Sequence, residues 1–266
     1  MINVSTSDTL KAMRCSSMAT EFDKQLSDPA TYNALSFEER FALIVDAEWN
    51  RRQKNKLAKL IKSAGFSIPS ACMEGIEYIP DRKLDKAQMI RFQTCKFIEN
   101  GHSIILKGAS GSGKTYIGCA IGNAACRKYY TVKYMRLPEL LDELNVAKGT
   151  GTFKKVIKSY QKVDLLILDE WLIHPLEQQE SYHLLEIIEA RVNTKKTAMV
   201  FCTQYNTEEW YGRIDPEAEE GSPISEAILD RIVHNAYLVS VEGRISMRKR
   251  HSFAEKNEES EVDNNG

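Results

Sequence analysis

What this chain of 266 residues lacks sets the first limits on it. Its six cysteines, Cys15, Cys72, Cys95, Cys119, Cys126 and Cys202, are scattered and never form a C-x-x-C pair, so neither a zinc site nor a disulfide framework is expected. They read as buried thiols in a reducing cytosol. No apolar run approaches the length that spans a bilayer, and the opening MINVSTSDTLKAMRCSSMATEF has no apolar core of a secretory leader. A cytoplasmic protein with no membrane partner is expected. Internal repeats and long low-complexity segments are missing too. Net charge is almost absent, at -1, yet that average hides segregation: DPEAEEGSPISE and the tail AEKNEESEVDNNG hold acid that offsets basic clusters elsewhere. One of those clusters, WNRRQKNKLAKLIKSAGF, opens a stretch from Trp49 to Met73 that contains no acidic residue.

A hydrophobic content of 42% gives ample material for a core, and the length suits a large domain with a small companion. Residues 1–66 read as helical. In SFEERFALIVDAE, Ser36 is a candidate N-cap with Glu39 three places on as its capping-box partner. Phe41, Ile44, Val45 and Trp49 follow at helical spacing. A helix continuing to Ala64 puts Leu57, Leu60, Ile61 and Ala64 on one arc and Arg51, Arg52, Lys56, Lys59 and Lys62 on the other, with Lys54 between. The basic arc then falls on the side of the first half's apolar stripe, so a kink, a second helix or a changed packing partner is expected near residues 50–54. Gly65 is placed to end the helix. Residues 67–85 read as a linker, 86–253 as the main domain, and 254–266 as a disordered acidic tail.

The main domain carries the most specific pattern, HSIILKGASGSGKTYIGCAIGNAAC. A short buried strand, the phosphate-loop motif G-x-x-x-x-G-K-[ST] and an apolar helix follow in order. Gly108, Gly111 and Gly113 let successive N–H groups of Gly108, Ala109, Ser110, Gly111, Ser112, Gly113 and the helix start, through Tyr116, face phosphate oxygens. ATP is the expected cofactor, with Lys114 reaching the β- and γ-phosphates and Thr115 a ligand of Mg²⁺. Further on, KVDLLILDEW sets paired acids at the end of an all-apolar run, as in a buried parallel strand that ends at a nucleotide. Asp169 would hold Mg²⁺ through water, and Glu170 is placed to deprotonate the attacking water. TAMVFCTQYN is a further strand, from whose end Thr203 or Gln204 could reach the γ-phosphate or the water.

Phosphate loop, LLILDE, a strand ending CTQ and then ISEAILDRIVHNAYLVSVEGRISMRKR, together with the basic N-terminal helix, carry a resemblance over almost the whole chain. The sequence resembles AAA+ ATPases of the initiator and helicase-loader branch, and specifically the IstB family of insertion-sequence ATP-binding proteins. The resemblance implies an α/β fold: an AAA+ P-loop NTPase core with a parallel sheet flanked by helices, preceded by a small all-helical N-terminal domain. It implies that Gln204 or Thr203 is the sensor-1 residue, Arg231 an arginine finger acting between subunits, and Arg248 a sensor-2 residue. An ordinary surface ion pair with an acid such as Glu226 is the competing reading of Arg231. It further implies a homo-oligomer bridged by ATP, target DNA selection, and a transposase as partner.

A charge run is most often only a solvated helix face. Here a second acid-free patch, NVAKGTGTFKKVIKSYQKV, adds Lys148, Lys154, Lys155, Lys158 and Lys162 between two strands, where the branch carries an inserted helix. Duplex DNA is therefore expected to meet Arg51, Arg52, Lys54, Lys56, Lys59 and Lys62 on one surface and Lys154, Lys155 and Lys158 on the other, through phosphate contacts without sequence preference. The rivals are a DnaC-like helicase loader acting on single strands, a small-molecule P-loop kinase, and a nucleotide-switched scaffold with negligible turnover.

Overall fold

The computed structural model describes residues 2–194, 196–218, 221–243 and 245–250, and for residues 2–5 the backbone alone. The acidic tail lies outside these. The chain divides into two units, Met1–Lys59 and Leu60–Gly266.

The first unit is helical: α1 (Ile2–Ala12), α2 (Ser16–Ser27), the short α3 (Pro29–Tyr32) and most of α4 (Phe37–Ala64). Helix α4 starts at the expected capping box, where the Ser36 N–H donates to Glu39 Oε2 at 2.7 Å and the Glu39 N–H to Ser36 Oγ at 3.3 Å. It then runs unbroken for 28 residues, so no second helix starts near residues 50–54. The unit boundary falls after Lys59, leaving the last turn of α4 with the second unit, and Gly65, with φ of 70°, follows the helix end. Buried Glu48 draws Arg51 (2.5 Å) and Arg52 (2.8 Å) onto one oxygen. Those two hydrogen bonds hold its carboxyl down at about 2. The basic run is thus balanced at its start, by an acid one residue before the acid-free stretch.

The second unit contains α5 (Lys86–Gln93), α6 (Lys96–Glu99), β1 (Ser103–Lys107), α7 (Lys114–Arg127), β2 (Val132–Arg136), α8 (Leu137–Gly149), α9 (Phe153–Gln161), β3 (Leu165–Trp171), α10 (Gln178–Val192), β4 (Ala198–Thr203), α11 (Thr207–Ile214), α12 (Pro223–Val233), β5 (Ala236–Ser240) and α13 (Met247–Arg250). The strands form one sheet in the order β2-β3-β4-β1-β5, every pair parallel. Continuous apolar runs such as Leu165–Leu168 and Ala198–Cys202 are what a parallel sheet covered on both faces requires, and these residues are buried. Because all five strands point the same way, their carboxyl ends lie along a single edge, where a doubly wound sheet binds its ligand. Helix α7 lies close on the sheet through Gly118 and Gly122: a Cβ at Gly122 would sit 2.5 Å from the Phe66 ring and 2.8 Å from Ile167.

Residues 67–85, expected as a linker, are packed against this core. Asn123 of α7 donates to the carbonyls of Pro69 (3.2 Å) and Ala71 (2.8 Å). Met73 and Ile76 are buried, and so is Arg82 at the end of a 3-10 turn, Pro80–Arg82. Short polar stretches look like linkers when the surface that buries them is remote in sequence. Four of the six cysteines are buried and all are free thiols, and no helix among the described residues is long and apolar enough to cross a membrane.

Candidate functional site

The phosphate loop leaves β1 at Lys107 and enters α7 at Lys114, with Gly111 and Gly113 at φ of 78° and 93°. Both values lie in the left-handed region that a side chain makes costly. The Gly113 position is crowded as well, since a Cβ there would lie 2.9 Å from Arg82 Nη2. Lys114 is buried and its ammonium folds back on the loop, donating to the carbonyls of Gly108 and Ala109 at 2.8 Å each. Burial lowers its pKa. A nearby phosphate would supply the anion that this cation lacks.

At the end of β3, Asp169 is buried. Its Oδ2 accepts from the Thr115 hydroxyl at 2.6 Å and from the Tyr134 phenol at 2.8 Å, and its Oδ1 accepts the Glu170 N–H at 2.8 Å. Thr115 and Asp169, predicted from 54 residues apart to share a metal, therefore meet directly. A hydroxyl and a carboxylate oxygen side by side at the phosphate loop form a hard donor pair suited to Mg²⁺, which takes one or two protein oxygens and keeps water and phosphate for the rest. Glu170 stands at φ of 53°, a left-handed conformation unusual for its residue type, where the β3–β4 pairing shifts register between Leu168 and Trp171. Its carboxylate is half exposed and lies 3.6 Å from Arg136, which also pairs with Glu139 at 2.6 Å.

The remaining expected residues separate. Thr203 is buried, its hydroxyl donating to the Trp171 carbonyl and accepting from the Tyr205 N–H, while Gln204, next to it at the end of β4, is exposed. Strand β4 runs between β1 and β3, so Gln204 leaves the sheet between the phosphate loop and the acid pair. Arg248 belongs to α13, which is fastened to the loop by the Met247 N–H on the Gly111 carbonyl at 2.8 Å, and its charge adds to the lowering of the Lys114 pKa. Arg231 lies elsewhere. It lines a cavity of about 410 Å³ with Ser103, Ala198 and Asn235, at the amino ends of the strands, away from the phosphate loop of its own chain. Its ion pair is with Glu189 of α10 at 2.8 Å and not with Glu226. Lys54, Lys56, Lys59 and Lys62 are exposed on α4, and Lys154, Lys155 and Lys158 on α9. Arg51 and Arg52 are committed to Glu48.

Beside the loop, a second cavity of about 750 Å³ is lined by Pro80, Asp81, Lys107, Gly108, Ala109 and Val241, among others. Its walls include the 3-10 turn that was expected to be linker. Tyr134, Arg136, Arg82 and Glu189 also go unmarked in the sequence. For Arg136 a signal existed, because it ends a strand on the edge where ligands bind.

A parallel sheet in this order, with the phosphate loop after β1 and an acid pair closing β3, defines a P-loop ATPase of the AAA+ architecture. The fold is shared with a solved structure of the DnaC helicase loader, at a TM-score of 0.52 and 17% identity over 65% of this chain and 97% of that one. Residues 8–255 match the family described as IstB-like ATP binding protein, and the chain belongs to that family. Among similar proteins, the ATP-binding protein of insertion sequence IS1162 from Pseudomonas fluorescens is 35% identical over 75% of this chain and 86% of its own length. An insertion-sequence ATP-binding protein of Sinorhizobium fredii is 33% identical over 92% of this chain and 96% of its own.

Proposed function

We propose that this ATPase assembles on duplex DNA without sequence preference and acts as a helper of transposition, selecting target DNA and recruiting the transposase of the same insertion sequence. The observation that carries the reading is the joint presence, in the second unit, of a nucleotide site with its hydrolytic acid pair and a helix, α9, that exposes Lys154, Lys155 and Lys158 and has no acid among its residues. A metabolite kinase needs no such surface. Lys54, Lys56, Lys59 and Lys62 of α4 supply a further set of cations for the phosphate backbone.

In this reading the N–H groups of the loop and Lys114 bind the triphosphate, and Thr115 with Asp169 hold Mg²⁺, which neutralises charge on the β- and γ-phosphates when bound. Glu170 takes the proton of the attacking water, and Gln204 orients that water from the neighbouring strand. Arg231 completes the site of an adjoining subunit, having first exchanged Glu189 for the γ-phosphate, and Arg248 meets the phosphates of its own. ATP thereby joins subunits into an oligomer on DNA, and hydrolysis releases them.

The test is fluorescence anisotropy with random duplex and single-stranded DNA, at fixed salt, without nucleotide and with ADP, ATP or a non-hydrolysable analogue. Duplex binding that needs the triphosphate is the expected result. Preference for single strands would turn the reading toward a helicase loader, and binding to neither would remove DNA from it.

A further inference from the structure

Among the described residues, the buried polar atoms left without a hydrogen-bond partner are not scattered evenly. Arg82 Nε, Ser112 Oγ and Arg250 Nε are three of them, and all three belong to groups that adjoin the phosphate loop or the turn beneath it. Native proteins keep such atoms few, and a cluster of them calls for a ligand or a reason.

Arg82 stands at the centre. It is 3% exposed, and its guanidinium donates to the Ser112 carbonyl at 2.9 Å and to the Glu77 carbonyl at 2.7 Å. Its own turn is fastened from both sides, by the Glu242 N–H on the Arg82 carbonyl at 3.2 Å and by the Arg250–Asp81 ion pair at 2.5 Å. Burial lowers its pKa, and the nearby Arg250 charge adds to that. Keeping an arginine in such a place costs desolvation that two carbonyl bonds offset only in part.

The peptide unit between Ser112 and Gly113 explains what the contact achieves. In a planar trans peptide the C=O of one residue and the N–H of the next point in opposite directions. A donor that grips the Ser112 carbonyl from outside the loop therefore turns the Gly113 N–H inward, to where the loop curls around phosphate. We propose that Arg82 is a positioning residue of the nucleotide site, which aims the Gly113 N–H at the phosphate chain and lends it a buried positive charge. The proposal rests on reading this loop as the ATP site. It gives the segment 67–85 a part in nucleotide binding, and it accounts for Gly113, where any Cβ would strike the guanidinium.

The experiment compares the full-length chain with Arg82→Met and Arg82→Lys, titrating fluorescent ATP and ADP and following the Gly113 amide resonance in labelled protein. Arg82→Met should bind both nucleotides roughly tenfold more weakly, the size of one charge-assisted hydrogen bond. It should also lose the nucleotide-induced shift of the Gly113 amide. A purely structural role would lower the melting temperature but leave that shift intact in the folded fraction, and this result would overturn the proposal. So would affinities within about twofold of wild type in either folded variant. Should Arg82→Met fail to fold, Arg82→Lys carries the test, because lysine keeps the charge but cannot hold both carbonyls, and weaker nucleotide binding is again expected. If the wild-type chain itself bound no ATP, the nucleotide reading would fall first. Wild-type binding with an indifferent Arg82→Met would sink this inference alone.

Discussion

Substituting alanine at three helical glycines should produce three different outcomes, ordered by what a new methyl group meets. At Gly212 in α11 it meets nothing within 4 Å, so the change removes only the excess freedom of the unfolded chain and should stabilise by about 0.4–1 kcal/mol. At Gly118 the nearest atom is Cys202 Sγ at 3.2 Å, tight but able to give slightly, and the gain in helix propensity is roughly cancelled. At Gly122 the methyl would lie 2.5 Å from the Phe66 ring and 2.8 Å from Ile167, both buried. Overpacking of this kind costs about 1–3 kcal/mol, from which at most about 1 kcal/mol of propensity is recovered. With that recovery in full the net loss is up to about 2 kcal/mol, which lowers the melting temperature of a unit this size by up to roughly 8 °C. Thermal melts by circular dichroism decide the matter. A Gly122→Ala protein melting at or above Gly212→Ala would refute the claim that α7, and with it Lys114 and Thr115, is held on the sheet by the small face of the helix.

Glu170→Gln should keep ATP affinity and cut steady-state hydrolysis by about 10²–10⁴-fold, the usual reach of a lost general base; phosphate release measured beside nucleotide titration checks both halves. Arg136→Ala frees Glu170 from an exposed, solvent-screened ion pair, so single-turnover hydrolysis should rise by no more than about fivefold, and a fall would show that Arg136 aids catalysis instead. Glu48 has a folded pKa of about 2, below the ordinary value. Its contribution is therefore present above pH about 4.5 and lost as pH falls toward about 2. Denaturant unfolding followed by Trp49 fluorescence should weaken across that window, and Glu48→Gln should flatten the profile. Replacing Lys154, Lys155 and Lys158 by glutamine should lower the salt slope of DNA binding by about 0.9 for each DNA phosphate that these lysines neutralise; an unchanged slope would mean that α9 does not touch DNA.

The parallel sheet and the phosphate loop were legible because their signals are local: a β-strand run, a fixed glycine spacing and an apolar helix adjoin one another. The start of α4 was legible for the same reason, its capping box spanning only Ser36 to Glu39. Thr115 and Asp169 could be brought together across 54 residues because each ends or begins an element whose direction a parallel sheet dictates. Arg82 could not. It is one arginine in a polar stretch, and only tertiary packing buries it under Gly113. The Arg231–Glu189 pair, 42 residues apart on two helices, is hidden in the same way. The neutralisation of Arg51 and Arg52 was within reach, since Glu48 stands three and four residues before them, the spacing at which helical charges meet. Counting acid from Trp49 onward passed over it by one position.

Arg231 sits at the amino ends of the strands, while the triphosphate loop is at their carboxyl ends. If Arg231 supplies charge to γ-phosphate, the two halves of one reaction centre face opposite ways on every molecule, and no solitary copy holds a whole one. Turnover then becomes a head-count. Its rate per molecule climbs with the chance of having a neighbour, stays low in dilute solution, and rises where a shared lattice crowds copies together. An end member always leaves one half unmatched, so a short row wastes proportionally more of its sites than a long one.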